Sequence, residues 1–95
     1  MARKEVVDAI LVPKGYQQVT TLSAAQGITP ASQARAALIQ ALTQDVRWRD
    51  DGTNPTSTVG MLLEAGRDMY YTGDLSQLRF IEVLAGAELN ISYYG

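Results

Sequence analysis

Along most of this chain the apolar positions recur at every second residue, the period of a strand, and the runs are short and bounded by turn residues. The clearest case is Val46-Arg47-Trp48-Arg49. Val46 and Trp48 fall on one face, Arg47 and Arg49 on the other, and the polar tract Asp50-Asp51-Gly52-Thr53-Asn54-Pro55-Thr56 ends the strand. Residues 16–22, rich in β-branched and aromatic side chains, predict a first strand, and the small polar residues with Gly27 and Pro30 over 23–32 predict a loop. Residues 34–42 are ambiguous, because Ala, Leu, Gln and Arg favour a helix while both alternating sets are largely apolar, as in a buried sandwich strand. We read a strand, joined to the Val46 strand by a hairpin through Thr43, Gln44 and Asp45.

Further on, residues 59–66 form a short apolar return punctuated by glycines, and Met69-Tyr70-Tyr71 predicts a strand closed by Thr72-Gly73-Asp74. Residues 78–84 and 89–94 flank Ala85-Gly86-Ala87-Glu88, a connection of hairpin length that predicts a terminal hairpin. Six or seven short strands at roughly ten-residue spacing predict an all-β fold, a small antiparallel β-sandwich or jelly-roll-like barrel. Residues 1–14 read as an extended N-terminal arm, since Val6, Val7, Ile10, Leu11 and Val12 fit neither period and Pro13-Lys14-Gly15 ends them. Residues 15–95 then form the single sandwich domain.

Composition narrows the chemistry. The chain has no cysteine and no histidine, so disulfides, thiolate metal sites, thiol nucleophiles and imidazole-based acid-base catalysis are all missing. The 10 acidic residues are scattered without a paired arrangement. These absences argue against an enzyme and predict no cofactor and no metal. A net charge of −2 gives no basic field for nucleic acid, and no apolar stretch has bilayer-spanning length, so neither nucleic acid nor membrane is expected as a partner. Glu5 and Asp8 interrupt the one run that resembles a leader peptide, so a soluble protein is expected.

Three clusters carry candidate chemistry. The Asp50–Asn54 tract has closely spaced oxygens but not the register or distant glutamate of a calcium loop, and it reads as an Asx-type turn. Arg47 and Arg49 present cations on the strand face away from Trp48 and suit a partner contact. Adjacent tyrosines, Tyr70 with Tyr71 and Tyr93 with Tyr94, place one ring inward and one outward in each pair.

The sequence also carries a recognisable pattern: Val46-Arg-Trp-Arg-Asp-Asp-Gly-Thr-Asn-Pro-Thr56, Val59-Gly60 with Leu62 and Leu63, Gly73-Asp74-Leu75, Leu78-Arg-Phe-Ile81 and Ala87-Glu-Leu-Asn-Ile-Ser-Tyr-Tyr-Gly95. With Tyr16-Gln-Gln-Val-Thr20 and Ala36-Ala-Leu-Ile-Gln40, it resembles small β-sandwich virion structural proteins of tailed bacteriophages and prophages over residues 16–95. The resemblance implies a capsid decoration or cement protein, made in the bacterial cytoplasm and located in the virion. Such a protein acts as a homo-oligomer on the major capsid protein or another virion protein. The second reading of the resemblance is a tail- or fibre-associated module that binds carbohydrate through exposed tyrosines. No catalytic or ligand-binding residue follows from it. Residues 1–12 lie outside the pattern, and their mix of charge and apolar side chains suits contact with a neighbouring subunit. The expected contact residues are therefore Arg3, Lys4, Val6, Val7, Ile10 and Leu11, with Arg47 and Arg49.

Overall fold

The computed structural model describes residues 11–95. The protein is all-β, built from β1 (Pro13–Val19), β2 (Ala36–Leu42), β3 (Val46–Arg49), β4 (Met61–Leu63), β5 (Asp68–Thr72), β6 (Arg79–Glu82) and β7 (Glu88–Tyr94). A 3-10 turn, Leu75–Gln77, is capped by the Asp74 carboxylate, which accepts from the Ser76 amide. The strands form two antiparallel sheets, one ordered β1-β7-β2-β5 and the other β4-β3-β6. Two separate sheets define a sandwich rather than a closed barrel. β1 opens at Pro13, so Pro13 and Lys14, which the sequence reading assigned to the arm, belong to the sheet. Arg3, Lys4, Val6, Val7 and Ile10 lie outside the described residues.

Two expected hairpins are absent, and one geometric fact replaces both. β2 and β3 do not pair with each other, and neither do β6 and β7; each link carries the chain from one sheet to the other. Residues 36–49, 61–72 and 79–94 are three long bent strands, each supplying one strand to both sheets in the same lateral order. Thus β2 lies between β7 and β5, while β3 lies between β6 and β4. Pairing resumes across the bend, from Leu42 opposite Glu88 to Val46 opposite Glu82. Each bend contains one residue with left-handed backbone: Thr43 (φ 75°), Gly66 (φ 83°) and Gly86 (φ 100°). Asp45 ties the bends together, its carbonyl accepting from Val83 N at 3.0 Å and its carboxylate from Ala65 N at 2.8 Å. Hairpin turns and sheet-switching corners use the same residue types, because both need a positive φ and a local side-chain acceptor. That shared chemistry is why a corner reads as a hairpin.

The core follows from the alternation. Ala37, Ile39 and Ala41 of β2 and Leu89, Ile91 and Tyr93 of β7 face inward against Val46, Leu63 and Phe80 of the other sheet. Leu22, Leu75 and Leu78 from the connections complete it. The ambiguity at 34–42 is thereby resolved as a strand: tertiary burial of the alternating face overrides local helix propensity. Trp48 packs at the margin, its ring edge-on to Tyr71 of the opposite sheet at 6.2 Å between centroids.

Candidate binding face

With the inward side chains committed to packing, the two outer sheet faces are left open to a partner. On the four-stranded sheet, register aligns outward residues into rows. Tyr16, Ser92, Leu38 and Tyr70 form one row, and Gln18, Asn90, Gln40 and Asp68 the next. Tyr16 is 66% exposed, Tyr70 55% and Leu38 37%. The polar row is internally bonded: Asn90 Oδ1 accepts from Tyr16 Oη at 2.6 Å and from Gln18 Nε2 at 3.2 Å, while Asn90 Nδ2 donates to Gln40 Oε1 at 3.3 Å. Residues of both rows line an open depression of about 240 Å³. The two expected inward–outward tyrosine pairs are present, with Tyr93 buried and Tyr71 half-buried while Tyr70 is exposed and Tyr94 half-exposed.

The outer face of the three-stranded sheet carries Arg47 between Leu62 and Ile81, with Arg49 opposite Arg79. Their guanidinium groups are held by the protein itself. Arg47 Nη1 donates to the Gly60 carbonyl at 3.0 Å, and its buried Nε has no partner among the described residues. Arg49 grips Asp51 through two bonds, at 2.6 and 3.2 Å. The same carboxylate accepts from Thr53 N, and these bonds, the Arg49 one foremost, hold the Asp51 carboxyl below its ordinary range. Asp50 instead accepts from Tyr71 Oη at 2.9 Å. The tract 50–54 therefore works as a turn that returns one acid to its own strand and the other to the opposite sheet.

Leu11, the one arm contact residue described, is half-buried beside Arg35, Ala36 and Thr72, at the end of the four-stranded sheet whose neighbouring Tyr71 reaches Trp48 and Asp50 of the other sheet. The sequence reading singled out Tyr70 but missed the company it keeps. Tyr16, Leu38, Gln40, Asp68 and Asn90 come from four strands, and only register brings them together. The available signal was their shared outward parity within each strand. No group of three or more metal-ligating side chains gathers among the described residues, and no helix among them is long and apolar enough to cross a membrane. No protein-family model, curated protein or solved structure matches the chain.

Proposed function

We propose that this protein is a structural component of a tailed-phage virion, a capsid decoration or cement protein that binds the assembled head as an oligomer through its N-terminal residues. Support comes from the resemblance over residues 16–95 and from the pairing of Val12, which follows the proposed contact residues in sequence. Val12 and Gly95 exchange both backbone hydrogen bonds, at 2.9 and 3.0 Å, so Val12 is fixed at the end of β7. Arg3, Lys4, Val6, Val7, Ile10 and Leu11 make the contact in this reading, and the partner is the major capsid protein or a neighbouring virion protein. Removal of residues 1–10 abolishes binding to purified heads of the encoding phage while the far-ultraviolet β spectrum is retained. Undiminished binding by the shortened chain refutes the role.

A further inference from the structure

We propose that the outer face of the β1-β7-β2-β5 sheet is a binding platform for a neutral oligosaccharide, lying across the strands from Tyr16 to Tyr70. Three observations converge on it. The first is aromatic placement: Tyr16 and Tyr70 occupy one register row on the two edge strands, three strand spacings or about 14 Å apart. That span fits several linked pyranose rings better than one. The second is preorganisation. The Tyr16 hydroxyl is tied to Asn90 on the next strand, so the ring leans across the sheet and keeps one broad face toward solvent. A ring fixed in this way loses little side-chain entropy when a sugar stacks on it.

The third observation is the chemistry between the rings. Gln18, Asn90, Gln40 and Asp68 run parallel to the aromatic row and offer amide donors, amide acceptors and a carboxylate. Asn90 is committed to Tyr16, Gln18 and Gln40, but Gln18 Oε1, Gln40 Nε2 and the Asp68 carboxylate have no hydrogen-bond partner among the described residues, and a sugar hydroxyl, which both donates and accepts, serves each of them. A protein surface would have to bury four adjacent polar side chains and match each one. The sign of the charge selects further, because neither row contains Lys or Arg and one contains Asp68. Anionic sugars are disfavoured on this face. Leu38, at mid-row, supplies an apolar floor beneath the C–H face of the middle sugar.

The test is an amide chemical-shift titration of the full chain with cellohexaose, maltohexaose and the N-acetylglucosamine hexasaccharide, with oligogalacturonate as the anionic probe. At least one neutral hexasaccharide shifts the amides of residues 16–18, 38–40, 68–70 and 90–92. Tyr16→Ala and Tyr70→Ala each weaken that binding about tenfold, the loss expected for one stacked ring. Tyr16→Phe keeps the stacking surface and most of the affinity, and Arg47→Met, on the other sheet, leaves binding unchanged. Three outcomes overturn the proposal: no shift with any neutral probe at millimolar concentration, shifts that map off these strands, or tightest binding by oligogalacturonate. Self-association that is lost on replacing both tyrosines, with no saccharide binding, overturns it as well and makes the face a contact between copies. Head binding by the shortened chain is a separate measurement, so the platform and the virion role stand or fall independently.

Discussion

The hydroxyl of Tyr93 donates to Gln17 Oε1 at 2.7 Å, and the same oxygen accepts from the Thr29 amide at 2.9 Å. One amide side chain on an edge strand thus satisfies a phenol of the core and pins the loop that follows β1. Burial pushes the Tyr93 hydroxyl up to about 12. In the unfolded chain it ionises near its ordinary value of about 10. Between these values the unfolded state has released a proton that the folded state keeps, so stability falls as pH rises through this window and is complete below it. Denaturant unfolding at stepped alkaline pH should show that decline. Tyr93→Phe should flatten it and lower neutral-pH stability by about 1 kcal/mol. An equal alkaline slope in both proteins would exclude Tyr93 as the source.

The three bent strands predict opposite responses at equivalent places. Thr43 is β-branched and held at φ 75°, a conformation that branched side chains resist. Thr43→Gly removes that strain and should raise the melting temperature, with a gain of up to about 1 kcal/mol after the added freedom of the unfolded chain is subtracted. Gly66→Ala and Gly86→Ala should each destabilise by about 1 kcal/mol, although nothing lies within 4 Å of the methyl each would add. Backbone conformation alone sets the sign in all three. Thermal melts of the three variants check it, and a stabilising Gly86→Ala would contradict the corner geometry.

Much of this architecture is legible along the chain, and what is not has a common physical origin. Val46, Trp48, Ile39, Leu89, Ile91 and Tyr93 announce their faces by parity, because inward and outward positions alternate whichever strand lies beside them. Partner choice is different. Thr43-Gln44-Asp45 and Ala85–Glu88 satisfy every local requirement of a hairpin, and only the hydrogen bonds that Asp45 makes to Val83 and Ala65 reveal corners. The candidate binding face suffers from the same dependence: Tyr16 and Asn90 are 74 positions apart, and no local pattern links them. The arginines of β3 were legible as outward residues. Their self-satisfaction by Gly60 and Asp51 was not, since it depends on how the 50–60 loop folds back.

Neighbouring residues on β2 give a direct test of burial. Ile39 is fully buried and lies between Ile91 and Met69 across the strands, whereas Leu38 points to the opposite face. Ile39→Ala should destabilise by about 2–5 kcal/mol, through lost transfer energy and the cavity left behind. That is a large share of the roughly 5–15 kcal/mol typical of a whole domain. Leu38→Ala should change stability by only about 0.5 kcal/mol. Equilibrium denaturation measures both, and comparable losses at the two positions would be incompatible with the strand assignment.

Arg47 separates the contribution of a side-chain stem from that of its charge. The stem lies between Leu62 and Ile81 on the outer face of β3, while the guanidinium reaches the Gly60 carbonyl and leaves a buried Nε with no partner among the described residues. Arg47→Met keeps the packing, loses one hydrogen bond and removes the unpaired donor, two effects of opposite sign and similar size. Stability should therefore stay within about 1 kcal/mol of the parent. Arg47→Ala also strips the stem from between its two apolar neighbours and should lose about 1–2 kcal/mol more than the methionine variant. Head binding then reads the charge by itself: if Arg47 contacts a virion partner, the methionine variant folds normally and binds more weakly. Should methionine prove as damaging to stability as alanine, the bond to Gly60, which secures the loop between β3 and β4, would be the dominant contribution of this residue.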